Sequence, residues 1–172
     1  IGCDLTRFDN IKTNTENKPL ILWNHRWEFD KNPESFFNTL FRLKNNDIEF
    51  NLAVLGESFD TYPEIFDIAK KKLNKEIVHW GYCKSSKEYK EWLQRADILP
   101  ITSIQEFFGV SAVEGAYSGI YTILPNRLSY PEIFDITKRN NLFYDNDEQL
   151  YDKLKNSILN IDKTRKSAKE IS

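Results

Sequence analysis

Residues 19–46 read PLILWNHRWEFDKNPESFFNTLFRLKNN, and they hold the clearest structural pattern in the chain. Its apolar start, PLILWN, has the composition of a buried β-strand. From Asn32 onward, apolar residues recur at helical spacing, and Asn32 is the predicted cap of that helix. The loop at 24–32 between these two elements holds polar and charged residues directly after the strand. The stretch therefore predicts a strand, a polar loop and an amphipathic helix, in that order.

The same alternation of short apolar runs and longer amphipathic runs continues along the chain. It occurs about six times, which predicts an α/β domain with a doubly wound, Rossmann-like parallel sheet and helices on both faces. Pro63 is expected in the first turn of one helix, and Pro100 predicts a strand that is short or at an edge. The predicted strands are 19–24, 49–57, 76–82, 97–102, 120–125 and 141–145.

The composition is that of a globular domain, with 172 residues of which 40% are hydrophobic and 29% charged. The 24 basic and 26 acidic residues leave a net charge of −2. That balance disfavours extensive binding of nucleic acid through the surface of this chain. Two cysteines without zinc-site spacing fit a reducing compartment, so we expect a cytoplasmic protein. No apolar run approaches the ~20 residues of a membrane helix, and we expect a monomer without a membrane partner.

Two cations follow the first predicted strand, where ligands bind in sheets of this kind. Arg26 and Lys31 are five positions apart in the loop. Arginine offers a planar fork for phosphate oxygens and lysine a point charge, so the pair could hold a diphosphate. The alternative is two solvated surface charges. His25 either contacts the ligand or makes a structural hydrogen bond, whereas His79 is expected to pack near a strand end.

The segment EFFGVSAVEG, residues 106–115, places two carboxylates around a predicted helix start. Gly109 lets the backbone approach a ligand closely. The first helical turn, 109–113, has free N–H groups and a dipole that suit a phosphate. Carboxylates accept hydrogen bonds from sugar hydroxyls, so Glu106 and Glu114 could bracket a ligand whose middle lies on the helix start and which carries a polyhydroxyl group at each end. The alternative is a loop charge at Glu106 and an exposed helix charge at Glu114.

These two glutamates, with seven residues between them, resemble the hallmark of the C-terminal domain of retaining glycosyltransferases with the GT-B fold. Arg26 and Lys31 are similar to the Arg-x4-Lys element of that group. Gly56 and Gly81 stand where the group has glycines after the next two strands. The motifs occur in the same order over nearly the whole chain. The resemblance implies the Rossmann-like C-terminal half of a GT-B glycosyltransferase.

The stretch WNHRWEFDK, with LAVLGESF and VHWGY, resembles a narrower family, the tRNA-queuosine mannosyltransferases or glycosyltransferase-like domain-containing proteins. His25 stands where the wider group usually has glycine. The resemblance implies a retaining hexosyltransferase that moves mannose from GDP-mannose to queuosine in tRNA. It also implies that 1–15 is a linker from a missing N-terminal domain that holds the tRNA, and that 16–172 is the nucleotide-sugar-binding domain. We therefore expect this chain to be inactive alone.

The resemblance also implies a role for each site residue. The two cations would hold the donor diphosphate together with backbone N–H groups at the helix start, and no metal or other cofactor is expected. Glu114 would bind the ribose hydroxyls and Glu106 the transferred sugar. Glu106, Arg26 and Lys31 are the expected catalytic residues. The expected donor-binding set is Arg26, Lys31, Gly56, Gly81, Tyr82, Phe108, Gly109, Val110 and Glu114.

Three alternatives stay open. The first is a retaining glycosyltransferase with another sugar donor and a lipid, glycan or small-molecule acceptor. The second is a nucleotide-sugar epimerase or a glycan phosphorylase of the same fold, although neither an inline acid/base set nor a pyridoxal phosphate lysine segment is evident. The third is a non-catalytic nucleotide-binding or interaction module.

Overall fold

The computed structural model describes residues 17–172, and six parallel strands within them form one sheet. The strands are β1 (Leu20–Trp23), β2 (Asn51–Val54), β3 (Ile77–Trp80), β4 (Ile98–Pro100), β5 (Tyr121–Pro125) and β6 (Phe143–Tyr144). Their order in the sheet is β3-β2-β1-β4-β5-β6. This order confirms the predicted doubly wound architecture. The predicted linker, 1–15, lies outside the described residues.

The helices cover both faces of the sheet. Those of the described residues are α1 (Pro33–Asn45), α2 (Ile65–Lys72), α3 (Ser86–Arg95), α4 (Val110–Tyr117), α5 (Tyr130–Ile133), α6 (Ile136–Arg139), α7 (Asp147–Leu159) and α8 (Ile161–Ile171). Helices α1, α2 and α7 pack on one face, and α3, α4 and α5 pack on the other. None of the helices within 17–172 is long and apolar enough to cross a membrane.

Strand β1 is buried at all four positions because its side chains alternate between two hydrophobic cores. Trp23 lies in one core, against Phe36 and Phe37 of α1. Leu22 lies in the other core, which includes Ala112 of α4. Each fully buried side chain of this size stabilises the fold by about 1.5–3 kcal/mol. The central strand therefore holds the two helical layers together.

Asn32 begins α1, as the sequence predicts. It adopts the left-handed conformation with φ 50°, and its side chain accepts a hydrogen bond from the backbone N–H of Ser35. Pro33 occupies the first helical position, where its missing N–H costs no intrahelical bond. This cap ends the β1–α1 loop at a defined place. The loop that carries the predicted cations is thus anchored at both ends.

Two prolines differ in detail from the prediction. Helix α2 begins at Ile65, after Pro63, because the carbonyl of Pro63 instead accepts from Phe66 in a preceding turn. Strand β4 is short, as Pro100 predicts, but it lies in the middle of the sheet. Its register with β1 consists of the single pair Ile21 and Ile98, which precedes Pro100.

Successive strands are added on one side of β1 up to β3, and from β4 onward they are added on the other side. Strands β2 and β3 lie on one side of β1, whereas β4, β5 and β6 follow on the other. The helices that follow β1 and β4 pack on opposite faces of the sheet, which opens a crevice at its carboxyl edge. Ligands of doubly wound sheets bind at such a crevice. Both segments that the sequence singles out, 24–32 and 106–115, begin at this edge, after β1 and β4 respectively.

Candidate functional site

An ion pair joins the two loops at the crevice. Lys31 Nζ lies 3.1 Å from Glu106 Oε2, and the two side chains are only 12% and 17% exposed. Lys31 Nζ is also 3.4 Å from Asp30 Oδ2 and 3.3 Å from the carbonyl oxygen of Gln105. The ammonium therefore has an oxygen partner for each of its three protons. The structure brings together two residues that are 75 positions apart in the sequence.

Backbone contacts hold this pair in place. The carbonyl of Asp30 accepts from the backbone N–H of Ile104 at 2.7 Å. The hydroxyl of Thr102 donates to the carbonyl of Lys31 at 2.8 Å. Because both contacts bridge the β1 and β4 loops, the positions of Lys31 and Glu106 do not depend on their own ion pair alone. The site is built on the sheet edge before any ligand arrives.

Glu106 also organises the start of α4. Its Oε1 accepts from the backbone N–H groups of Phe107 and Phe108 at 3.0 and 3.3 Å. Burial raises the pKa of this carboxyl, but Lys31 and the backbone donors of Phe108 and Gly109 outweigh burial, so its pKa lies below the ordinary value. Glu106 is therefore ionised at neutral pH. Its remaining lone pairs can accept from a ligand hydroxyl.

Gly109 precedes α4 in the left-handed conformation, with φ 59°. The first helical bond described runs from the N–H of Val113 to the carbonyl of Gly109. The N–H groups of the first turn have no partner within the helix, and they carry the positive end of its dipole. Phe108 and Val110 beside this turn are 65% and 43% exposed. The predicted phosphate-binding segment is thus accessible.

A pocket of about 500 Å³ opens beside the crevice, at the carboxyl ends of β1, β2 and β3. Three predicted donor-binding residues line it, namely Arg26, Gly56 and Tyr82. The Arg26 side chain is 58% exposed and lies 3.3 Å from Glu28. Tyr82 is 69% exposed and follows Gly81, which has φ 117°. The pocket can accept a flat ring system against Tyr82, with a cation at its mouth.

Glu114 connects the pocket to the helix. It is only 5% exposed, so its interpretation as an exposed helix charge is wrong. Its Oε2 accepts from the hydroxyl of Tyr89 at 2.9 Å. The side-chain amide of Asn24 lies 3.4 Å from that hydroxyl and donates to the carbonyl of Ser111 at 3.1 Å. A polar chain thus runs from the end of β1 to the first turns of α4.

Sequence reasoning missed Asn24 and Tyr89 as members of this site. Both line the pocket, and Asn24 is only 8% exposed. The side-chain oxygen of Asn24 is buried and has no hydrogen-bond partner in the structure. A signal for Asn24 existed, because it is the first polar residue after a fully apolar strand. Tyr89 carried no signal, since one tyrosine in an amphipathic helix is ordinary.

His25 is buried beside the ion pair. It is 3% exposed, and its Nε2 has no hydrogen-bond partner in the structure. Its carbonyl accepts from the indole N–H of Trp23 at 2.9 Å. Burial, and next the positive charge of Lys31, lower the pKa of His25 from 6.5 to about 4. The imidazole is therefore neutral at pH 7.

The buried His25 predicts a loss of stability in mild acid. Between pH 6.5 and about 4 the unfolded chain binds a proton at this residue that the folded chain does not, so folding weakens as the pH falls through this window. The expected loss is about 3 kcal/mol. Urea unfolding of the parent and of His25→Gln should show parallel stabilities above pH 7 and a steeper decline for the parent below it. Identical pH dependence would contradict the prediction.

The Asp-x-Asp sequence at 145–147 is a pattern found in metal-dependent sites, but here it serves the fold. Asp145 accepts from the side-chain amide of Asn126 at 2.9 Å. Asp147 accepts from the hydroxyl of Ser35 at 2.6 Å. Asn146 between them caps α7. These side chains are occupied in joining α7 to its neighbours.

Comparison with known proteins gives a consistent result. The family model described as "Glycosyl transferases group 1" matches residues 6–172. A tRNA-queuosine alpha-mannosyltransferase of Drosophila melanogaster is 40% identical over 114 residues. That match covers 66% of this chain, and the chain spans only 30% of the relative's length.

Solved structures share the fold. The C-terminal domain of the glycosyl transferase group 1 family protein LpcC from Francisella tularensis superposes with a TM-score of 0.73 at 20% identity, covering 90% of this chain and 82% of that domain. WaaG, a glycosyltransferase involved in lipopolysaccharide biosynthesis, gives 0.68 at 18% identity, covering 90% of this chain and 42% of its own. At these identities the likeness concerns the fold alone.

Proposed function

Since the chain belongs to the glycosyl transferases group 1 family, we propose that it is the donor-binding half of a two-domain mannosyltransferase. The enzyme takes mannose from GDP-mannose and transfers it, with retention of configuration, to queuosine in tRNA. The ion pair between Lys31 and Glu106 carries this proposal, because it sits at the crevice beside a pocket that is large enough for a nucleotide. The fold, the site and the 40% identical relative support it together.

The geometry suggests how the donor is held. The nucleoside enters the pocket beside Tyr82, and its ribose hydroxyls reach the buried carboxylate of Glu114. The diphosphate then lies across the start of α4, where the helix dipole, Arg26 and Lys31 supply positive charge. The carboxylate of Glu106, which forms an ion pair with Lys31, accepts a hydrogen bond from a hydroxyl of the mannose. This order places the sugar between the two described loops, at the edge where an acceptor can approach.

Charge development explains the need for these cations. As the bond from mannose to the diphosphate breaks, negative charge grows on the leaving phosphate. The N–H groups at the start of α4 are already in place to stabilise it, and the ammonium of Lys31 adds its charge by exchanging one of its three oxygen partners for a phosphate oxygen. We propose that these groups do the work that a bound metal does elsewhere and that no metal is required at the diphosphate.

The acceptor side is proposed to lie on another domain. The chain spans 30% of the length of its mannosyltransferase relative, and its net charge of −2 does not favour a tRNA surface of its own. We therefore propose that an N-terminal domain binds the tRNA, that the enzyme is cytoplasmic, and that the 172-residue chain alone does not catalyse transfer. Measurable mannosylation of tRNA by this chain alone would contradict that division.

Calorimetry on the 172-residue chain tests the donor proposal. We expect binding of GDP and GDP-mannose and weaker binding of UDP and UDP-sugars. Glu114→Gln should weaken GDP binding about 10–100-fold, because one hydrogen bond to a charged group is lost while the acceptor for Tyr89 remains. Glu49→Gln is the matched control. Glu49 is exposed and precedes β2, at the opposite edge of the sheet, so its replacement should leave the affinity unchanged.

Each other outcome points elsewhere. A preference for UDP-sugars would favour a glycosyltransferase with another donor and acceptor. Absence of binding by any nucleotide would favour an interaction module. Equal affinities of the parent and Glu114→Gln would refute the placement of the ribose at Glu114 even if GDP binds.

A further inference from the structure

The end of β3 carries three potential metal ligands that the proposed donor site does not use. They are His79 on β3, Cys83 in the following loop and Glu88 in the first turn of α3. One imidazole nitrogen, the sulfur and one carboxylate oxygen all lie within 4.8 Å of one another. The sequence pattern His-x3-Cys-x4-Glu spans only ten residues, but its spacing does not match that of the usual zinc sites.

The imidazole is oriented as a metal-binding histidine is. Its Nε2 lies 3.0 Å from the carbonyl oxygen of Gly81, so this nitrogen carries the proton and donates it. Nδ1 then presents its lone pair toward Glu88, whose Oε1 is 3.9 Å away. A backbone carbonyl that fixes the distal nitrogen is the usual second contact of a metal-bound imidazole. A cation between Nδ1 and Oε1 would bind a lone pair of each.

Glu88 is held in place by the helix start. Ser85 caps α3, and its hydroxyl accepts from the N–H of Glu88 at 3.1 Å. Glu88 in return accepts from the N–H of Lys84 at 2.8 Å through Oε2. This reciprocal cap uses one carboxylate oxygen and leaves Oε1 facing His79. The cap alone explains why a glutamate stands here, but it does not explain why Cys83 and His79 converge on the free oxygen.

We propose that His79 Nδ1, Cys83 Sγ and Glu88 Oε1 bind one divalent cation of the zinc class. A thiolate, an imidazole and a carboxylate together suit Zn²⁺, whose bonds of ~2.0–2.3 Å place tetrahedral ligands about 3.3–3.7 Å apart. The three atoms thus need to approach by at most about 1.5 Å, which side-chain rotation provides. Binding displaces the thiol proton to solvent, and water occupies the fourth position.

The cation would stabilise one side of the nucleotide pocket. Cys83 lines that pocket together with Tyr82, Lys84, Ser85 and Ser86. His79 belongs to the sheet and Glu88 to α3, so one ion would tie the connecting loop to both rigid elements. The site is separate from the crevice with Lys31 and Glu106. It orders the pocket and takes no part in charge stabilisation at the diphosphate.

This proposal can be tested by removing any metal from the chain with a chelator and then titrating the chain with Co²⁺, followed by Zn²⁺. We expect one Co²⁺ per chain with a thiolate-to-cobalt charge-transfer band, which one equivalent of Zn²⁺ removes. Cys83→Ser should abolish the band, and His79→Gln and Glu88→Gln should weaken binding more than about 100-fold, since even outer contacts change metal affinity 10–100-fold. Hydrogen exchange of the amides at 82–85 should slow when Zn²⁺ is added.

Matched controls make the outcome decisive. Cys3→Ser removes the other cysteine, and Glu91→Gln removes an exposed carboxylate of the same helix. Both should keep the full cobalt band. A band that survives in Cys83→Ser, or the absence of any band in the parent, would overturn the proposal. Circular dichroism and thermal unfolding of the metal-free variants would show that each remains folded. Because the readout is metal binding, it stands apart from the test with GDP.

Discussion

Lys31→Ala is expected to lower kcat/KM for sugar transfer by about 10²–10³-fold in the proposed two-domain enzyme. Lys31 supplies the charge that is buried at the crevice, with a side chain only 12% exposed, where screening by solvent is weak. Its loss removes stabilisation of the leaving diphosphate and leaves the carboxylate of Glu106 without its cation. Steady-state kinetics with a radiolabelled sugar donor measure the effect. We expect the larger change in kcat, because charge develops in the transition state.

Lys44→Ala is the control for this substitution. Lys44 also pairs with a glutamate at 3.1 Å, but its partner is Glu76 and the pair lies away from the crevice. Its removal should leave transfer unchanged. A loss of less than about fivefold in Lys31→Ala, with the fold intact, would show that the diphosphate is held by other groups than those proposed here.

Gly56→Ala is expected to destabilise the fold by about 4 kcal/mol or more. Two separate costs add at this position. The backbone has φ 102°, a conformation that side chains with a Cβ rarely adopt. A Cβ would in addition overlap the carbonyl oxygen of His25 and lie 2.8 Å from its carbonyl carbon. Because both clashing atoms are backbone, the loop that carries Arg26 would have to move.

Gly81→Ala separates these two costs. Gly81 has a similar φ of 117°, but a Cβ there would meet nothing within 4 Å. It should therefore lose only the conformational part, about 1–3 kcal/mol. Urea unfolding of the two variants gives the difference directly. Equal losses would mean that the close approach of the β1 and β2 loops is not a constraint. A larger loss in Gly56→Ala would show that Gly56 keeps the two loops in contact at the edge of the pocket.

The order of elements could be predicted from the sequence because burial patterns are local. The fully apolar β1 and the helical spacing after Asn32 each follow from a few neighbouring residues. The ends of elements were less predictable. Helix α2 begins after Pro63, and Pro100 lies in a central strand, because these details depend on which backbone groups face each other across the sheet.

The candidate site was partly predictable for the same reason. Glu114 stands among small apolar residues, and that local context matches its burial. Tyr89 and the group around Cys83 take part in contacts between elements, for which the sequence carries no periodic signal. His25 illustrates the limit, since its neighbours in the sequence do not reveal that burial beside Lys31 keeps it neutral.

The alternation of strands and helices, the caps and the chemical types that follow β1 and β4 could be predicted from local sequence, because propensity, periodicity and turn chemistry act over a few residues. Two contacts of the site follow from the folded chain alone. Lys31 meets Glu106 across 75 positions, and Tyr89 reaches Glu114. Those contacts arise because β1 and β4 are neighbours in the sheet, and strand order is set by the packing of the whole chain.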